Sequence, residues 1–137
     1  MDEQGIDLAW LLTWEMGPTE TFTPWHGVLN PAQVRADGSH PGITLADGLA
    51  AKRRYPDRFV LGYCPHPAQP EAVNLFEAAY YMHGVRVCGE WKFRMLIDDP
   101  RNLELFRVAG RLKCPVVLHL DVPYLTKSGK SVYEREW

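Results

Sequence analysis

Three cysteines in 137 residues are an odd number and too few for a disulfide scaffold. Cys64, Cys88 and Cys114 contain no Cys-x-x-Cys pair, so a ribbon- or finger-type zinc cage is excluded as well. They read as small buried apolar side chains in a reducing compartment. No charge sign dominates: 15 Lys and Arg stand against 17 Asp and Glu, a formal net charge of −2. That balance removes the electrostatic argument for nucleic acid or an anionic membrane as partner. No apolar run approaches the roughly 18–20 residues of a membrane span. The opening Met1-Asp2-Glu3-Gln4 lacks the basic-then-apolar order of a signal peptide. A cytoplasmic location is the expectation. Neither Gly-x-Gly-x-x-Gly nor Gly-x-x-x-x-Gly-Lys-Ser/Thr follows any apolar run, which removes the dinucleotide and P-loop readings.

What is present is a chain 46% hydrophobic and 23% charged, ordinary for a globular domain. Apolar runs of strand length alternate with helical periodicity. Residues 1–4 read as the last turn of a helix capped by Gly5, and residues 6–14 as a first strand. A proline- and glycine-broken loop follows to His40, with a helical turn opened by Asn30-Pro31. Residues 45–55 form a helix with Thr44 as N-cap and Lys52, Arg53 and Arg54 at its negative end. Residues 59–63 are a second strand. Residues 70–83 are a helix with Val73, Phe76, Ala79 and Tyr80 on one face and Gly84 as its stop. A third strand spans 85–93. Asp99 and Pro100 open a further helix, whose apolar content is Leu103, Phe106, Val108, Ala109 and Leu112. A fourth strand spans 116–120, followed by a polar tail. Strands separated by helical crossovers predict a parallel sheet. The expected fold is α/β, a partial (β/α)8 barrel of four consecutive strands forming one domain over residues 1–137, where a whole barrel takes about 250 residues.

Barrel enzymes carry their chemistry at the carboxyl ends of strands. In the third strand, Cys88, Glu90 and Lys92 alternate with Val87, Trp91 and Phe93. A carboxylate and an amine on one face are costly to bury unless paired or metal-bound, so a structural ion pair and a catalytic role both fit. In the fourth strand His119 and Asp121 share a face at the end of an apolar run. Glu90 and His119 end consecutive strands about 4.8 Å apart, within reach of one divalent ion. Imidazole and carboxylate suit zinc, manganese or iron. His66, between Pro65 and Pro67 after the second strand, is a candidate lining residue of a substrate pocket, against the plainer reading of a loop residue. His26 and His40 lie in the long loop with no specified role. His83 reads as structural, and Trp10, Trp14 and Trp91 as packing residues.

The segment Tyr55-Pro56-Asp57-Arg58-Phe59-Val60-Leu61-Gly62 resembles the entry to the third strand of amidohydrolase-related proteins. Asp2-Glu3-Gln4-Gly5-Ile6-Asp7-Leu8-Ala9 is similar to their helix end and second strand. Leu112-Lys113-Cys114-Pro115-Val116-Val117-Leu118-His119 is similar to their fifth strand, and Gly89-Glu90 to a fourth-strand pair of TatD-like hydrolases. The resemblance implies that the strands are the second to fifth of a barrel from a metal-dependent hydrolase of the amidohydrolase superfamily. It implies His119 and Glu90 as metal ligands, Zn2+ first and Mn2+ or Fe2+ next. Lys92 matches a fourth-strand Lys that bridges metals in some relatives, a role for which Glu90 competes. Lys92 and Asp121, the latter on the His119 face, are the candidate catalytic residues, while the family's water-activating eighth-strand Asp would lie beyond Trp137. The implied substrate is a small molecule with an amide, ester or related bond. A zinc-dependent decarboxylase of the same superfamily and an inactive truncated half-barrel are the alternatives, and a Schiff-base aldolase through Lys92 is a further one. The first strand and the sixth to eighth would lie outside the chain, leaving open strand edges through which it could form a homodimer.

Overall fold

A computed structural model describes residues 1–17, 29–93 and 95–119. Among these residues the protein is a mixed α/β chain with short parallel strands and three α-helices. Strands β1 (Ala9–Leu11) and β2 (Phe59–Leu61) pair in parallel, with Ala9 opposite Phe59 and Leu11 opposite Leu61. Strands β3 (Cys88–Trp91) and β4 (Val116–Leu118) form a second parallel pair. A parallel bridge between Gly62 and Val87 links the two sheets, continued by Arg86 N to Leu61 O (2.9 Å) and Tyr63 N to Val87 O (2.9 Å).

Parallel pairing requires the chain to return to the same end between strands. Helices α1 (Leu45–Arg54), α2 (Ala72–His83) and α3 (Pro100–Arg111) make those returns. Their starts follow from local chemistry. At α1, Thr44 accepts from Asp47 N while the Asp47 carboxylate accepts from Thr44 N, a reciprocal capping box. At α3, Asp99 accepts from Arg101 N with Pro100 in the first turn. Asn30 accepts from Ala32 N at the 3-10 turn Pro31–Gln33. The turn Asp2–Gln4 ends on Gly5 in the left-handed conformation, and Gly84 ends α2 in the same way.

The core joins strands to α2 and α3: Leu61, Phe76, Val85, Val87, Leu105 and Val108 are fully buried. Phe76 and Ala79 carry the buried face of α2, with Val73 and Tyr80 packed beside them. All three cysteines are free and buried.

Several expectations need correction. The strands are shorter than their apolar runs; the first covers three residues, not the nine of 6–14. Trp10 is no packing residue: it is 52% exposed, with Leu8 and Ile6 also exposed beside it. Helix α3 buries Asn102, Leu105, Val108 and Ala109, whereas Leu103 is exposed. Residues 102, 105 and 109 recur at helical spacing and Leu103 falls off that line. In the third strand Glu90 and Lys92 are half-buried while Trp91 and Phe93 are buried, so the two-residue alternation holds from 90 to 93. Cys88 is buried as well, and the β3–β4 register shifts between Cys88 and Trp91. Among the described residues no helix is long and apolar enough to cross a membrane.

Candidate functional site

The carboxyl ends of the strands converge through the main chain. Past its pairing with β2, the chain following β1 meets β3 directly. Thr13 N donates to Gly89 O at 3.3 Å and Glu90 N donates to Thr13 O at 2.8 Å. The Thr13 hydroxyl accepts from Cys64 N at 3.1 Å, and Gly89 N donates to Tyr63 O at 3.2 Å. Thr13 is 2% exposed. One buried residue therefore ties together the ends of β1, β2 and β3.

Glu90 and His119 stand on this frame. His119 N donates to Trp91 O at 3.0 Å, which sets the start of the imidazole beside β3. The imidazole Nδ1 contacts Glu90 Oε1 directly, with both side chains about three-tenths exposed. The structure thus brings together the two residues expected to share an ion, at neighbouring strand ends and open to solvent. Among the described residues no group of three or more His, Cys, Asp or Glu side chains is placed to hold a metal ion. As a donor set, one carboxylate oxygen and one imidazole nitrogen suit zinc-type ions, and they supply two of the three protein ligands usual for a catalytic centre. Asp121 lies outside the described residues.

Lys92 turns the other way. Its ammonium nitrogen sits 5.0 Å from the centroid of the Trp14 ring, and Trp14 Nε1 donates to Lys92 O at 3.2 Å. The end of β3 therefore sends Glu90 toward β4 and Lys92 toward β1.

His66 is buried behind the mouth of the strands. Its ring lies 4.5 Å from that of Phe93, and its Nδ1 accepts from Ala68 N at 3.1 Å. A Cβ on Gly17 would stand 2.7 Å from His66 Nε2, so the bare glycine is what lets the backbone at position 17 lie against the ring.

Sequence reasoning passed over Glu15. It lies four residues past the end of β1, and position after a strand is the available signal. Its carboxylate accepts from the Tyr63 hydroxyl at 3.4 Å and from the backbone of Leu45 at the start of α1, while burial raises its pKa above the usual carboxylate value. Burial, and then the neighbouring Glu15 charge, push the Tyr63 phenol well up, so it stays a neutral donor. The sequence specifies no role for His40 either. It is buried, its Nδ1 accepts from Gly42 N at 2.8 Å and its Nε2 meets Asn30 O at 2.9 Å. It therefore clasps the loop that leads into α1.

None of the protein-family models, curated proteins or solved structures compared with this chain matches it.

Proposed function

We propose that this chain is part of a metal-dependent hydrolase of the amidohydrolase superfamily, its four strands corresponding to the second to fifth of a (β/α)8 barrel. The observation that supports this most is the meeting of Glu90 and His119 at the carboxyl ends of paired parallel strands. That end is where barrel enzymes place their chemistry. Glu90 and His119 would hold a divalent ion, Zn2+ first, which when bound acidifies water and polarises a carbonyl. Asp121, two residues beyond His119, is the proposed acceptor of the proton from attacking water. Lys92 is the proposed partner for charge on a small-molecule substrate with an amide or ester bond.

Calorimetric titration with Zn2+ tests the reading. Weak binding is expected, because two protein donors leave most of the coordination sphere to water. Glu90→Gln and His119→Ala should each lower the affinity at least about tenfold, the scale at which even supporting residues of metal sites act. Asp98→Asn should leave it unchanged. Equal affinity in all four proteins defeats the reading. Turnover of ester or amide substrates by this chain alone is expected to be negligible. The same reading proposes a homodimer through strand edges, where Trp10 within β1 and Leu8 just before it stand exposed. Sedimentation of the native chain and Trp10→Thr checks it, with a native monomer at micromolar concentration as the contrary result.

A further inference from the structure

The chain has three cysteines, and all of them lie in one core cluster. Cys64 follows β2, Cys88 opens β3 and Cys114 precedes β4. Cys64 and Cys88 are fully buried.

The main chain sets how near they stand. Tyr63 N donates to Val87 O and Gly89 N donates to Tyr63 O, a parallel pairing that puts Tyr63 opposite Cys88. Cys64 is therefore the diagonal neighbour of Cys88. Strands about 4.8 Å apart, with a rise of about 3.3 Å per residue, put such Cα atoms about 6 Å apart. A disulfide spans roughly 4.4–6.8 Å between Cα atoms. The backbone of Cys64 leaves the ladder here and donates to the Thr13 hydroxyl, and its thiol shares a hydrogen bond with that of Cys88. Cys114 is placed otherwise. It lies two residues before Val116, the partner of Cys88, which sets its Cα about 8 Å from that of Cys88. That is beyond the roughly 7 Å limit for a bridge. Its thiol donates to Leu112 O at 3.8 Å instead.

We infer that Cys64 and Cys88 form a reversible dithiol–disulfide site, oxidised by a low-molecular-weight disulfide, that fastens the end of β2 to β3. The Cys64 thiolate attacks one sulfur of the oxidant and displaces a thiolate; Cys88 then attacks the Cys64 sulfur and displaces the second. The protein gives up two electrons and two protons, and the oxidant becomes two thiols. The Cys88 hydrogen bond, and then burial, hold the Cys64 thiol well above its ordinary pKa, so the exchange is slow near neutral pH. Its equilibrium depends on the fit of the pair, which the fold supplies. Nothing in this site depends on the hydrolase reading.

Equilibrating the full chain in mixtures of oxidised and reduced glutathione, in mildly alkaline buffer, tests the site. Samples are quenched with acid, alkylated in denaturant and mapped by mass spectrometry. The expected product has lost two hydrogens, is alkylated at Cys114 alone and yields a linked Cys64–Cys88 peptide. The native chain should reach half-oxidation at a proportion of oxidised glutathione roughly tenfold or more below that needed by the urea-unfolded chain. Cys114→Ala should oxidise as the native chain does. Cys88→Ala should form no internal disulfide, with Cys88→Ser as second variant should the first fail to fold. Mapping of the native chain decides the pairing whatever becomes of the variants. A native chain that keeps three alkylatable thiols, carries glutathione in place of an internal bond, or links Cys114 overturns the inference. So does oxidation no easier in the native chain than in the unfolded one.

Discussion

Trp91 and Asn102 are joined inside the protein by a hydrogen bond of 3.0 Å from the indole Nε1 to the amide Oδ1. Asn102 is fully buried, and its amide nitrogen donates in turn to Leu96 O at 2.7 Å. One side chain of α3 thereby satisfies both β3 and the turn that precedes the helix. Asn102→Ala should destabilise the protein by about 2–4 kcal/mol, the sum of a stranded indole donor, a stranded carbonyl and a small cavity. Asn102→Asp should also be damaging, since a buried carboxylate cannot donate to Leu96 O. Urea denaturation measures both, and a loss below about 0.5 kcal/mol for the alanine variant, the range of ordinary surface changes, would contradict this account.

Glu15 predicts a dependence on pH whose sign is opposite to that of most carboxylates. Burial raises its folded-state pKa above the ordinary value of 4.5 and outweighs the bonds from Tyr63 and Leu45. Below 4.5 the group is protonated in both folded and unfolded chains, and its contribution is fully present. That contribution is lost as pH rises through the raised folded value, because the folded state must then hold a desolvated charge. Glu15→Gln keeps an acceptor for Tyr63 without the charge. Its melting temperature should exceed that of the native protein near pH 7, and the gap should close near pH 4. A constant gap across that range would show that Glu15 does not titrate as described.

Two glycines with similar backbone angles should respond differently to alanine. Gly5 has φ +64 with nothing within 4 Å of a Cβ, whereas Gly42 has φ +78 and a Cβ there would stand 2.1 Å from Trp14 O. Gly5→Ala should cost about 1–2 kcal/mol, the left-handed penalty alone. Gly42→Ala adds a backbone collision and should cost roughly 3 kcal/mol or more. It should also disturb the antiparallel bridge between Trp14 and Ile43. Equal losses in the two variants would mean that the loop shifts freely away from Trp14.

The helix starts were legible because caps are local. Thr44, Asn30 and the Asp99-Pro100 pair announce themselves within four residues, and each caps as its chemistry requires. The parallel pairing of neighbouring strands followed from the alternation of runs and helices. The register shift between Cys88 and Trp91 was not legible, because it depends on β4, far along the chain. Asn102 was overlooked for a different reason. A polar residue on a helix ordinarily faces water, and here the Trp91 indole and Leu96 O, both bonded to its amide, make its burial favourable. The meeting of Glu90 with His119 was anticipated from strand order, while the grip of Trp14 on Lys92 needs the approach of β1 to β3.

That approach has a kinetic consequence. The main-chain bonds of Thr13 to Gly89 and Glu90, and the Trp14–Lys92 bond across a sequence separation of 78, close a very long loop. Such contacts form only after most of the intervening chain has ordered, since loop-closure entropy must be overcome before they stabilise anything. Strands β3 and β4 can pair early with α3 between them, leaving the backbone of Glu90 without its Thr13 partner. The acid–imidazole pair would then reach its final setting last, when the amino-terminal strand docks. A peptide covering only the second half of the chain should accordingly hold its helices while leaving Glu90 unset.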